Sequence, residues 1–153
     1  MTTNYSFYAV PAYWFLALLP HGIAASTIQK ANNNQWDNVN PRSAGVIEDY
    51  KKKVPAAAFA KYERAEAAHK NMMENGVWFL GAVILGNMAG LSNSYMNAVT
   101  AAYLALRVAY IFLYIGVTKP KLSYARSVSW GVSWLLLMTV YVQAGSKVAK
   151  FHK

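Results

Sequence analysis

The chain has 153 residues, 56% of them hydrophobic and 14% charged, with 15 Lys and Arg against 6 Asp and Glu for a net charge of +9. It contains no cysteine and only three histidines, which excludes disulfides, thiolate metal sites and a cysteine nucleophile and leaves no metal-ligand pattern. The basic residues stand in short stretches beside apolar runs, a distribution that orients a membrane protein and argues against a nucleic-acid partner. Composition therefore predicts an integral membrane protein, and the helical spans that follow make it all-α.

Four spans, 5–28, 63–91, 96–117 and 123–145, each reach the ~20 residues that a bilayer core requires and form a single membrane domain over 1–153. The first lacks a basic start and a clear cleavage site and carries Pro11, Pro20 and His21, so it reads as a retained helix and not a signal peptide. His21 after Pro20 is read as a bundle-facing residue at a kink. Residues 29–62 form a long polar loop with Asn32-Asn33-Asn34, Asn40-Pro41-Arg42 and Lys51-Lys52-Lys53. Residues 91–95 are a short uncharged turn, which makes the second and third helices antiparallel neighbours. Lys119-Pro120-Lys121 and Arg126 then make the next connection basic. The two basic loops place their side in the cytosol and both termini opposite, with Lys147, Lys150 and Lys153 as a weaker contrary signal.

The second span opens on Glu63, Arg64, Glu66, His69, Lys70, Asn71, Glu74 and Asn75 before Gly76-Val77-Trp78-Phe79-Leu80. A helix over 63–91 is about 43 Å long at ~1.5 Å per residue, longer than the ~30 Å hydrocarbon layer, so its first turns can stand among headgroups. Glu66, Lys70 and Glu74 are spaced to pair i,i+4 on a solvated face. Asn71, Glu74, Asn75 and Trp78 instead form a stripe leading inward. On spacing alone, site and surface remain equal alternatives.

In the third span Arg107 lies on one face with Tyr103, Tyr110 and Tyr114. A guanidinium at that depth costs at least ~2.5 kcal/mol and needs a buried acceptor. Glu74 is the acid placed clearly within a span, so a structural Glu74–Arg107 ion pair is expected across helices two and three; such a pair can also serve only to hold the bundle together.

Together, Glu63-Arg64-x-x-x-Ala68-His69-x-Asn71-x-x-Glu74-Asn75, Phe79, Arg107-x-x-Tyr110-x-x-x-Tyr114 and Arg126-Ser127 resemble the membrane-associated proteins in eicosanoid and glutathione metabolism (MAPEG), in particular the microsomal glutathione S-transferase and prostaglandin E synthase branch. Asn40-Pro41-Arg42 looks like the short Asn-Pro element of that family. The resemblance implies a homotrimer of four-helix bundles in the endoplasmic reticulum or outer mitochondrial membrane, with glutathione as co-substrate between subunits near the cytosolic face and no metal. Carried over by motif, Asn71 and Glu74 hold the tripeptide, with Lys70, His69, Asn75, Arg64 and, more loosely, Lys30 beside it. Tyr110 and Tyr114 contact it from the third helix. Arg126 stabilises the thiolate and Ser127 donates a hydrogen bond to it, with Lys121 as the alternative base.

The chain departs from the family pattern at Ala67, where glutathione-binding members usually carry a base, at Gly76, where relatives often carry proline, and in the long Tyr114–Arg126 spacing. A glutathione transferase or peroxidase acting on a lipophilic electrophile or lipid hydroperoxide is the expected function. A non-catalytic membrane scaffold or lipid-binding regulator of the same fold is the alternative that Ala67 favours. A small channel or proton-coupled carrier using Glu74, Arg107 and His21 is a third class, opposed by the lack of an inverted repeat or broken-helix pair.

Overall fold

The computed structural model describes residues 2–151 and contains helices and no strand among them. A 3₁₀ turn, Ser6–Tyr8, leads into α1 (Ala9–Ala31); α2 (Ala44–Lys53), α3 (Ala56–Met88), α4 (Asn93–Gly116) and α5 (Pro120–Phe151) follow. The segments Ser6–Ala31, Asn93–Gly116 and Pro120–Lys150 are long and apolar enough to cross a membrane, and the chain is an integral membrane protein. Helix α3 is as long as α5 but falls short of that apolarity, because its first half carries the charges from Lys61 to Glu74.

Residues 29–62 are more ordered than a polar loop. Ser43 caps α2 by accepting from the Val46 backbone N–H at 3.3 Å. The Tyr50 hydroxyl accepts from the Asp37 backbone N–H at 2.8 Å, and the Tyr50 ring stacks on Trp36 at 5.7 Å. The local signal was there: Val46, Ile47 and Tyr50 share one face behind a serine cap, in a helix too short to compete visibly with the charges around it. Helix α3 then starts at Ala56, seven residues before the apolar span would begin.

The turn between α3 and α4 is set by backbone hydrogen bonding. Gly90 takes φ +65°, its N–H donates to the Asn87 carbonyl, and the Leu91 N–H donates to the Gly86 carbonyl at 3.0 Å. This left-handed close satisfies the last carbonyls of α3 and reverses the chain within a few residues, and Ser92 caps α4 from its side chain. The amino-terminal segment is stitched to this end of the molecule by asparagines. Asn97 accepts from the Tyr5 backbone N–H at 2.7 Å, and Asn87 donates to Ser6 Oγ at 3.0 Å.

Helix α3 is the central element, packing on α1, α4 and α5. The core joins Tyr13 of α1, Phe79 of α3 and Tyr103 of α4: Phe79 and Tyr103 stack at 4.6 Å and 6°, and Tyr13 lies 5.0 Å from Phe79. At Gly86 the helices approach so closely that an added Cβ would stand 2.6 Å from Met96 Sδ and 2.8 Å from Val140 Cγ1. Large apolar side chains such as Phe15, Phe112 and Leu135 are exposed on the outer faces, the reverse of a soluble surface and suited to lipid.

Candidate functional site

The polar residues singled out in the sequence distribute over three clefts around α3. The first, of about 330 Å³, lies between α3, α4 and α5 and is lined by Asn71, Tyr110, Arg126, Ser127 and Trp130. Asn75 is buried and donates to the Asn71 carbonyl at 2.8 Å and to Asn71 Oδ1 at 3.2 Å. It therefore positions Asn71 and leaves that side chain's amide N–H groups for the cleft. Tyr110 and Tyr114 meet edge to face at 5.4 Å, and the Arg126 guanidinium lies 4.1 Å from the Tyr114 centroid. Arg126 has no acidic partner among the described residues.

Helix α5 begins with Pro120 in its first turn, where the missing N–H costs nothing. That start carries Arg126 and Ser127 into the cleft, while Lys121 stays exposed and outside it. The long Tyr114–Arg126 spacing is taken up by a connection over Val117–Lys119 and the opening turns of α5.

The expected Glu74–Arg107 ion pair does not form within the chain. The acid–base pairs within 4 Å among the described residues are His21–Glu66, Lys52–Glu48 and Lys53–Asp49. Arg107 is fully buried and turned toward α5, where it donates to Ser133 Oγ and, at 3.5 Å, to the Trp130 carbonyl. Its guanidinium carbon is 5.1 Å from the centroids of both Tyr103 and Tyr110. Glu74 is exposed and lines the second of the three clefts. Sequence spacing identified the buried base; its acceptor is a serine hydroxyl, a residue type with no charge to give it away.

A second cleft, of about 380 Å³, is lined by Arg42, Glu66, Ala67, His69, Lys70, Met73 and Glu74. The i,i+4 pairing of Lys70 with Glu66 and Glu74 is replaced by a contact between helices, Glu66 Oε1 to His21 Nδ1 at 2.7 Å. A carboxylate only accepts, so His21 Nδ1 carries the proton. His69 is buried and its Nδ1 donates to the Ala17 carbonyl at 2.8 Å, one residue beyond the Leu16 carbonyl that Pro20 cannot bond. One nitrogen of His69 is thus committed to joining α3 to α1. Just outside the apolar span, burial first and the Glu66 charge second push the Tyr62 phenol above its ordinary range, so it stays neutral. Arg42 joins this cleft outside the expected site residues, and the Asn40-Pro41-Arg42 element is the sequence signal that marks it.

Lys30 and Arg64 reach neither of these clefts. They line a third, of about 840 Å³, between α1, α3 and α4. Among the described residues no group of three His, Asp or Glu side chains is placed to hold a metal ion.

The first cleft can do anion chemistry: an unpaired guanidinium, a serine hydroxyl, a tyrosine hydroxyl and an amide converge on a space open to a small ligand. The model of the MAPEG family matches residues 7–146, and the chain belongs to that family. No curated protein and no solved structure matches the sequence.

Proposed function

We propose that this member of the MAPEG family is a membrane-bound glutathione S-transferase or peroxidase. The observation that carries the reading is the convergence of Asn71, Tyr110, Arg126 and Ser127 on one cleft, with no acidic partner for Arg126 within 4 Å among the described residues. A free thiol with pKa near ~8.5 is mostly protonated at neutral pH, and lowering that value by two units takes about 2.7 kcal/mol of preference for the thiolate. A permanent guanidinium charge in a partly dry site is able to supply it, and Ser127 adds a hydrogen bond to sulfur.

Tyr110 and Tyr114 flank the tripeptide, and Asn71, positioned by Asn75, bonds its polar groups. Lys70 and Glu74, which line the neighbouring cleft on α3, supply a further wall when three four-helix subunits assemble. That places the site between neighbours. The thiolate sulfur then attacks an electrophilic carbon arriving from the bilayer, and the leaving group departs with the electron pair. With a lipid hydroperoxide, two glutathione molecules supply two electrons and two protons, giving the alcohol, water and glutathione disulfide. The endoplasmic reticulum is the expected location.

One observation favours the non-catalytic alternative: Ala67 leaves the second cleft with Arg42 and Lys70 as its bases. Titrating glutathione into detergent-purified protein while recording ultraviolet thiolate absorbance separates the two readings. The enzyme reading requires saturable binding with a thiolate signal near neutral pH; a flat titration leaves a scaffold.

A further inference from the structure

The cleft that Lys30 and Arg64 line is larger than the one proposed for glutathione. It runs between α1, α3 and α4, with Lys30, Lys61 and Arg64 at its polar end and Leu19, Ile23, Ile111 and Phe112 among its apolar wall. No acid lines it, and none of the three bases has an acidic partner within 4 Å among the described residues. Arg64 is held by donating Nε–H to the Ile115 carbonyl at 3.1 Å, which fixes the guanidinium at the end of α4. Its terminal nitrogens have no partner among the described residues.

The two ends of the cleft differ in depth as well as polarity. Lys30 lies in the last turn of α1 and Lys61 and Arg64 in the first turns of α3. Leu19 is eleven residues back along α1, roughly 16 Å lower at 1.5 Å per residue. That is about half of the ~30 Å hydrocarbon layer. Leu19 and Phe112 are 47% and 68% exposed, so the wall continues into the outer apolar surface. A soluble anion has no use for such a wall, and a zwitterionic lipid has no use for three unopposed cations.

We propose that this cleft is a binding site for an acidic phospholipid, with the phosphate among Lys30, Lys61 and Arg64 and an acyl chain along Leu19, Ile23 and Phe112. The site is independent of glutathione chemistry. It assigns Lys30 and Arg64 to lipid in place of the glutathione contacts that their motif positions imply.

The test is retention of short-chain phosphatidylglycerol by detergent-purified protein, read by native mass spectrometry against phosphatidylcholine of the same chain length, inorganic phosphate and glutathione. Phosphatidylglycerol is expected to bind in preference to phosphatidylcholine. Lys61→Glu should weaken it at least roughly tenfold, while Lys51→Glu, the same charge change on exposed α2, should leave it unaltered. Phe112→Ser should weaken the lipid and not its headgroup analogue, glycerol phosphate. Equal retention of phosphatidylcholine, an equal loss in Lys51→Glu, or inorganic phosphate binding as well as the lipid would overturn the proposal. So would displacement of the lipid by glutathione, which would return Lys30 and Arg64 to the glutathione site.

Discussion

The guanidinium carbon of Arg126 stands 4.1 Å from the centroid of the Tyr114 ring, so the base proposed to hold the thiolate is positioned by an aromatic face and not by a carboxylate. A carboxylate partner would cancel the charge that the thiolate needs, whereas a ring orients the guanidinium and leaves its charge intact. Arg126→Gln should lower kcat/KM about a hundredfold, the rate equivalent of the ~2.7 kcal/mol assigned to thiolate stabilisation. Tyr114→Phe keeps the ring and should cost little, and Tyr114→Leu should cost roughly tenfold. Steady-state kinetics with thiolate absorbance on the same samples checks all three.

Lys121 offers the competing explanation for the thiol-facing base, and its position opposes it. It is exposed at the start of α5 and does not line the cleft that Arg126 and Ser127 share. Lys121→Gln is expected to leave glutathione turnover within about twofold of the parent, the scale of a solvated surface charge. A loss as large as that of Arg126→Gln would transfer the role to Lys121.

The fold was legible where apolarity is continuous. The segments ending in α1, α4 and α5 announce themselves by length and hydropathy, and the uncharged turn before α4 correctly makes α3 and α4 neighbours. Helix α2 and the early start of α3 were hidden because their helical signals are short and lie among charges that read equally as loop. The cleft formed by Asn71, Tyr110, Arg126 and Ser127 was legible as a set of residue types. What spacing did not yield is which face of α3 each polar group takes. Asn71 and Lys70 are adjacent in sequence and about 100° apart around a helix, so they line different clefts. Glu74 is exposed beside Lys70, and Arg107 is left to Ser133.

His69 distinguishes a structural role from a ligand role. Its Nδ1–H satisfies the Ala17 carbonyl in the wall between α1 and α3, and removing that donor strands a carbonyl away from water. His69→Leu should lower stability by about 1–3 kcal/mol, measured by thermal unfolding in detergent. The KM for glutathione should stay within about twofold in protein that remains folded, and a selective rise in KM would give His69 a direct contact.

Gly86 tests the close packing of α3. Its missing Cβ leaves room for Met96 and Val140, and a methyl there would meet Val140 Cγ1 at 2.8 Å, well inside contact distance. Methionine can swing aside, but a β-branched valine on a neighbouring helix has less freedom. Gly86→Val should destabilise by about 1–3 kcal/mol of overpacking, whereas Gly45→Val, in open space on α2, should be far milder.

Arg107 and Ser133 form the most consequential buried contact, because a guanidinium with no exposure is held by one hydroxyl, one distant carbonyl and two aromatic faces. Its Nε and Nη1 have no partner among the described residues. Any loss of the remaining acceptor leaves a buried donor unsatisfied and is therefore felt in full. Ser133→Ala should cost more than the ~1 kcal/mol of an ordinary hydrogen bond, about 2–3 kcal/mol for a bond to a charged group. Arg107→Lys should also destabilise, because an ammonium cannot present a flat face to Tyr103 and Tyr110 at once. Arg107→Met combined with Ser133→Ala removes the charge and its acceptor together and should recover part of the stability lost in Ser133→Ala alone. Thermal unfolding of the two single variants and the double variant in one detergent measures that coupling. A double variant less stable than either single would show that Arg107 contributes net stability to the helix packing and does not merely depend on its acceptor.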